Sequence, residues 1–245
     1  MYIVTGGTQG IGAATVEKLV SLGHPVVFTG RDETAGAQLA ARLPHCTFVP
    51  GDVVNEDECR NVVATALQLS DGKLAGLVNN AGMSGRKAFT ETTQQEWDTL
   101  FAVNTRSVFF YTKHALPGLI AGRGAVVNVS SIAGKTGEQG LATYCASKAA
   151  LLGLTQALAL EYGGEVRFNA VCPGQIATRM MDKIVNDEAR LAALTARIPE
   201  GRLASATEVA DAICWLLSPG ASYVNGTTLT VDGGETAGLL SPKSL

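Results

Sequence analysis

Met1-Tyr2-Ile3-Val4-Thr5-Gly6-Gly7-Thr8-Gln9-Gly10-Ile11-Gly12 opens the chain. Met1 to Val4 is a short apolar run of strand type, and Ala13 to Leu22 carries apolar residues at helical spacing. A strand, a glycine-rich turn and a helix in that order form the start of a dinucleotide-binding unit. Gly6 permits the tight turn, Gly10 lets backbone amides approach a pyrophosphate, and Gly12 lets the helix pack closely on the strand. The phosphates would rest on the positive N-terminus of that helix. The spacing is Gly-x-x-x-Gly-x-Gly rather than Gly-x-Gly-x-x-Gly.

Outward from this unit, strand-like and helix-like runs alternate. Strands are expected at Tyr2–Thr5, Pro25–Thr29, Thr47–Val49, Ala75–Asn79, Ala125–Val129, Glu165–Val171 and Thr227–Val231. Helical patterns fill most of the gaps, which implies right-handed crossovers. The expected fold is α/β: a Rossmann-type, doubly wound parallel sheet of about seven strands with helices on both faces. Its ligand crevice would lie beyond the carboxyl ends of the strands, where strand order reverses.

The length of 245 residues suits one domain, residues 1–245, and no repeat or low-complexity tract marks a second. Hydrophobic content of 46% with 17% charge describes a well-buried core rather than a disordered or nucleic-acid-binding chain. A net charge of −3 gives no basic field for phosphate polymers. No apolar run approaches the ~20 residues of a membrane helix, and the opening strand leaves no room for a signal peptide, so neither nucleic acid nor membrane is an expected partner. The five cysteines (Cys46, Cys59, Cys145, Cys172, Cys214) show no Cys-x-x-Cys pair and no metal spacing. No metal is expected, and reduced thiols in a cytoplasmic protein are.

Tyr144-Cys145-Ala146-Ser147-Lys148 stands thirteen residues after Ser131. On a helix, positions i and i+4 share a face, so the Tyr144 hydroxyl and Lys148 ammonium project the same way. A phenol titrating near pH ~10 is a poor proton carrier at neutral pH. A nearby cation favours the phenolate and brings proton transfer within reach. Further segments lie at strand ends or on the following helix. They are Asn79-Asn80-Ala81-Gly82, Asn104 within the helical stretch Gln94–Leu119, Asn128-Val129-Ser130-Ser131, and Pro173-Gly174 followed by Thr178. Six motifs in this order resemble the short-chain dehydrogenase/reductase family, over nearly the whole chain.

The resemblance implies hydride transfer between a nicotinamide cofactor and a ketone or secondary alcohol. Tyr144 would be the general acid in reduction and the general base in oxidation. Lys148 would hydrogen-bond the nicotinamide ribose and lower the Tyr144 pKa. Ser131 would hold the substrate oxygen, and Asn104, at a main-chain kink, a water that passes protons from Lys148 to solvent. Cofactor contacts would come from Gly6, Thr8, Gln9, Gly10, Ile11 and Gly12 of the turn. Asn79, Ala81 and Gly82 would line the adenine-ribose and support the sheet. Asp52, with Val53 beside it, would accept from the adenine amino group. Tyr144, Lys148, Pro173, Gly174, Ile176 and Thr178 would meet the nicotinamide side. The small-molecule substrate would meet Ser131, Ala133, Leu141, Tyr144 and Gln175, with Met83, Glu138 or Gln139 near and Met180 and Met181 on a mobile lid spanning about residues 178–200.

An NAD enzyme places a carboxylate ~20 residues past the glycine motif to bind the ribose 2′-hydroxyl. Here that position is Gly30, and Arg31 beside it could pair with a 2′-phosphate, which favours NADP. Asp32 keeps NAD open, as does Gln9 where many NADP-using relatives carry a basic residue. Two alternatives stand: a 3-oxoacyl or polyketide ketoreductase whose acidic carrier touches Arg123, and a non-catalytic dinucleotide sensor, against which the full Asn104, Ser131, Tyr144, Lys148 set argues. A homotetramer is expected, through the edge strand near Thr227–Val231 with the helix Glu208–Leu217 (Trp215, Leu216 and Leu217), and through the helices bearing Asn104 and Tyr144.

Overall fold

The computed structural model describes residues 1–239. Its seven strands are β1 (Tyr2–Thr5), β2 (Val26–Gly30), β3 (Cys46–Pro50), β4 (Gly76–Asn79), β5 (Ala125–Val129), β6 (Arg167–Pro173) and β7 (Thr228–Val231). They form one sheet in the order β3-β2-β1-β4-β5-β6-β7, and every pairing is parallel. The order reverses between β1 and β4, so the loops after those two strands flank the crevice.

Alternation along each strand divides the core. Val4, Val26, Phe28, Val78, Val127 and Val129 face one layer, built from α1 (Gly10–Ser21), α2 (Glu33–Arg42) and α9 (Ala206–Leu217). Ile3, Val27, Leu77 and Val126 face the other, built from α3 (Glu56–Leu69), α5 (Ser107–Gly122) and α6 (Ala142–Tyr162). Burial of strands on both faces is why they read as continuous apolar runs rather than as alternating ones. Between β4 and β5, α4 (Gln94–Phe101) passes through a π-helical segment, Ala102–Arg106, into α5. Two short helices, α7 (Asp182–Val185) and α8 (Glu188–Thr195), lie between β6 and α9.

Helix starts follow local chemistry. Asp32 accepts from the Ala35 amide at 2.9 Å and caps α2, while Asn55 caps α3. Reciprocal capping boxes open α4 (Thr93 with Glu96) and α9 (Ser205 with Glu208). The sixth strand starts at Arg167 rather than Glu165. The amides of Glu165 and Val166 both return to the Tyr162 carbonyl, which closes α6 before the strand can begin.

One expectation about the surface is corrected. Leu216 and Leu217 are buried in the core of the chain itself, against the sheet, and cannot contribute area to a subunit contact. Only Trp215 of that trio is exposed, at 45%. Leu216 and Leu217 share the inward face of α9 with Val209, Ala210, Ile213 and Cys214, and Trp215 lies on the outer face.

Candidate functional site

The glycine turn is built as its composition requires. Gly6 and Gly10 have φ of +64° and +55°, in the left-handed region that favours glycine. A Cβ on Gly12 would stand 2.1 Å from the Gly6 carbonyl oxygen, so only glycine lets α1 lie this close to the turn. Gln9 occupies the N-cap without a side-chain hydrogen bond to the helix, and no acidic residue sits in the first turn. The opening amides of α1 therefore face the crevice without a capping side chain from Gln9, which is the arrangement an anionic phosphate needs. Gly10 also faces the Thr178 methyl, with 3.4 Å to the position of its missing Cβ, so the loop after β6 meets the turn.

Asn80 joins the loops after β1 and β4. Its Nδ2 donates to the carbonyls of Thr5 (2.9 Å) and Gly6 (3.1 Å). Thr5 Oγ1 accepts from the amides of Asn80 and Ala81, each at 3.0 Å. Sequence alone does not single out Asn80, although it stands inside the Asn79-Asn80-Ala81-Gly82 motif. Asn79 is corrected in one of its two expected roles. Its side chain is buried, and its Nδ2 donates to Asn128 Oδ1 (2.8 Å) and Thr112 Oγ1 (3.2 Å). Asn128 in turn donates to Thr155 Oγ1 at 2.9 Å. Asn79 therefore ties the sheet to α5 and α6 and does not line the crevice.

Tyr144, in the first turn of α6, is half-buried, and Lys148 one turn later is buried. Burial is the largest influence on the Tyr144 phenol and raises its pKa above the ordinary value, while the Ser131 hydroxyl favours the phenolate and opposes the rise. The Glu138 carboxylate pushes it further up. Burial also brings the Lys148 ammonium down to about 8. Its Nζ donates to the Val129 carbonyl at 2.8 Å and lies 5.9 Å from the Tyr144 ring centroid. The ammonium is itself weakened by desolvation and is aimed at a carbonyl.

Asn104 sits at the centre of the π segment, fully buried. Its Oδ1 accepts from the Met83 amide (2.8 Å), and its Nδ2 donates to the Met83 carbonyl (2.9 Å) and Ser147 Oγ (3.0 Å). Ser147 Oγ donates to the Tyr144 carbonyl at 2.8 Å. The chain Met83–Asn104–Ser147–Tyr144 so locks the loop after β4 to the first turn of α6. The helical kink expected at Asn104 is this π segment, a feature that recurs at functional sites. A Cβ on Gly82 would lie 3.1 Å from Lys148 Nζ and 3.5 Å from Asn104 Oδ1, so Gly82, Asn104 and Lys148 converge.

The remaining expected residues divide. Ala133, Leu141 and Ile176 are buried beside this cluster's loops, and Ile176 bridges to Ala204. Pro173 ends β6, and Gly174 passes so close to Asp232 that a Cβ would stand 2.7 Å from the Asp232 Cβ. Gln175 Nε2 donates to Glu235 Oε1 at 3.3 Å. Asp52 follows β3, its Oδ1 accepting from the Val54 amide at 3.2 Å, while the Val53 side chain packs into the core rather than the crevice. Arg31 is exposed at the end of β2. Glu138 pairs with Arg86, whose guanidinium also donates to the Gln139 carbonyl. The Met180 side chain lies outside the described residues. Arg123 caps α5 in the left-handed region and lines a groove with Met1 and Pro25, at the amino ends of the strands. It is therefore on the face opposite the site, and a carrier protein docked on it would not present a substrate to Tyr144.

Among the described residues no group of His, Cys, Asp and Glu is placed to hold a metal ion, and no helix is long and apolar enough to cross a membrane.

A family model described as enoyl-(acyl carrier protein) reductase matches residues 6–236. The chain is 39% identical over 243 residues to a cyclopentanol dehydrogenase of Comamonas testosteroni, covering 97% of each protein. It is 35% identical to a meso-2,3-butanediol dehydrogenase of Serratia marcescens, covering 99% of this chain and 97% of that one. Among solved structures, an active-site complex of Pseudomonas aeruginosa RhlG with NADP superposes with a TM-score of 0.90 at 33% identity, covering 96% of this chain and 95% of the other. The family model and these relatives cover nearly the whole chain, and the chain belongs to the short-chain dehydrogenase/reductase family, as an NAD(P)-dependent oxidoreductase of alcohols and ketones.

Proposed function

We propose that the protein interconverts a small ketone and its secondary alcohol with NADP(H) in preference to NAD(H), using Tyr144 as the acid–base group. The observation that carries this is a phenol, Tyr144, under the influence of the Ser131 hydroxyl and one helical turn from a buried Lys148 that lies 5.9 Å from its ring. The nicotinamide, when bound, supplies or takes the hydride. Tyr144 gives its phenolic proton to the substrate oxygen in reduction and takes the hydroxyl proton in oxidation. Its raised pKa keeps it protonated at neutral pH, which suits the acid role. Ser131 shares the substrate oxygen and offsets charge that develops there. Lys148, lowered by burial to about 8, passes protons onward and, when charged, favours the phenolate. Asn104 holds the β4 loop and α6 in register and supports the proton path at the π segment.

The cofactor would lie on the turn Gly6 to Gly12, against Ala81 and Gly82, with Asp52 and the loop Pro173 to Thr178 at its two ends. The preference for NADP is supported by crowding at Gly30, where a Cβ would stand 2.7 Å from the Thr8 side chain, so no acidic residue fits. Asp32 is committed to its helix cap. Arg31 is left as the charged group at the ribose edge. The segment 178–200 acts as a substrate lid. In support, α8 buries none of its residues, whereas Ile198 is buried against Gly233 and anchors the far end. The five free cysteines fit a reducing, cytoplasmic setting.

The test is turnover across a panel of cyclic ketones, diols and aliphatic secondary alcohols, with NAD and NADP compared on each. Activity with NADP on at least one pair is the expected result. A purified protein that binds the cofactor but turns over none of them would overturn the catalytic reading and leave the sensor alternative.

A further inference from the structure

Ser130 stands between Val129, the last residue of β5, and Ser131, and it is buried. Its amide donates to the Val171 carbonyl of β6 at 2.8 Å, which fixes its main chain. Its Oγ donates to the Lys148 carbonyl at 2.8 Å. Lys148 Nζ, in turn, donates to the Val129 carbonyl at 2.8 Å. Consecutive residues at the end of β5 thus hold both the main chain and the side-chain tip of Lys148.

The contact between the two elements is close. A Cβ on Gly134 would stand 2.7 Å from Ser130 Oγ and 2.9 Å from the Lys148 carbonyl carbon, so the turn that follows Ser131 lies with bare backbone against α6. From the other side, Thr105 Oγ1 of the π segment donates to the Ser147 carbonyl at 3.1 Å. Neighbouring carbonyls of α6 are therefore gripped by hydroxyls from two different elements, one turn beyond Tyr144. A buried hydroxyl needs an acceptor, and serine most often finds one within its own few residues. Ser130 instead reaches 18 residues along the chain, to the lysine of the site. Ser131 Oγ accepts from the Ala133 amide at 3.1 Å, inside its own turn, so the tie from this turn to the α6 backbone falls to Ser130.

We propose that Ser130 is a positioning residue for the reaction: its hydroxyl sets the spacing between Ser131 and the face of α6 that bears Tyr144 and Lys148. This rests on the oxidoreductase reading above. Ser130 touches no reacting atom in this role and acts through the place it gives Ser131 and Lys148.

The test is Ser130→Ala, with Ile213→Val as a control. The Lys148 carbonyl lies within α6 and keeps its place in the helix ladder, so the alanine leaves no orphan acceptor and the variant should fold. Ile213 is buried on α9, in the layer across the sheet, and its truncation costs about as much stability as one hydrogen bond. At a temperature where both variants are folded by circular dichroism, Ser130→Ala should lower kcat by about ten- to a hundredfold, the usual result of a small misplacement of reacting groups. Substrate KM, and the cofactor dissociation constant from fluorescence titration, should stay within about twofold of wild type, since a misplacement of this kind is felt in the transition state. Ile213→Val should keep wild-type kcat. Full kcat in Ser130→Ala, a loss confined to KM, or an equal fall of kcat in Ile213→Val would each overturn the assignment. A wild type that binds the cofactor but turns over no member of the panel would instead overturn the oxidoreductase reading, and this inference with it.

Discussion

Replacing Asn104 by alanine should separate the structural part of the site from its chemistry. The carboxamide makes three hydrogen bonds, to the Met83 amide, the Met83 carbonyl and Ser147 Oγ. Met83 belongs to a half-exposed loop, so its two backbone groups can be rehydrated and each lost bond there should cost about 1 kcal/mol. Ser147 is buried and keeps its bond to the Tyr144 carbonyl, so its loss is of similar size. The sum is roughly 2–4 kcal/mol, with a modest addition for the space left in a fully packed position. In a chain of this size that corresponds to a fall in Tm of about 4–16 °C. Urea unfolding followed by circular dichroism measures it, with a lower midpoint and an unchanged slope. Turnover should fall more than stability predicts at a temperature where the variant is fully folded, because the β4 loop is no longer tied to α6. A double-mutant cycle with Ser147→Ala isolates the Asn104–Ser147 term, expected at about 0.5–1.5 kcal/mol. A destabilisation below about 0.5 kcal/mol with full activity would refute the claim that this chain of bonds positions Tyr144.

Tyr144→Phe should lower kcat by about a hundredfold or more while cofactor binding is retained, and a variant keeping more than about a tenth of wild-type kcat removes the acid–base role. Because burial raises the Tyr144 pKa, wild-type ketone reduction should hold level through neutral pH and alcohol oxidation should climb toward alkaline pH, as the base form becomes populated; oxidation that is flat with pH contradicts this. Lys148→Ala should damage both turnover and cofactor affinity, and a kinetic loss with unchanged affinity would exclude the ribose contact. Arg31→Ile should weaken NADP by about ten- to a hundredfold and leave NAD unaffected, as expected for one charge-assisted phosphate contact, whereas a wild type preferring NAD tenfold would end that argument. An aspartate grafted at Gly30 should fail unless Thr8 is also reduced in size, since the Thr8 side chain occupies the space. Light scattering should give a tetrameric mass, with Trp215 and the outer faces of α5 and α6 as contacts, and a fully active monomer at micromolar concentration would refute this assembly.

The sequence by itself determined the sheet and most of the site. Apolar runs of strand length, each ended by a short motif, are local signals, because a strand buried on both faces must be apolar throughout. All seven strands accordingly fall within two residues of where periodicity puts them. Tyr144 with Lys148, and Gly6 with Gly10 and Gly12, are legible for the same reason: helical spacing and a tight turn are properties of neighbours in the chain. What tertiary structure alone decided is the direction in which side chains point and what they meet across long sequence distances. Asn79 and Asn80 are adjacent, yet one turns inward to Asn128 and the other outward to Gly6, because successive residues leaving a strand face opposite sides of the sheet. Leu216 and Trp215 part company across α9 in the same way. The pKa values of Tyr144 and Lys148 likewise depend on burial, which no local pattern encodes, so the lysine expected to charge its neighbour is itself lowered to about 8. Glu235 reaches Arg197 and Gln175 only because β6, the α8 segment and the turn after β7 close on one another, a meeting of distant segments that packing brings about.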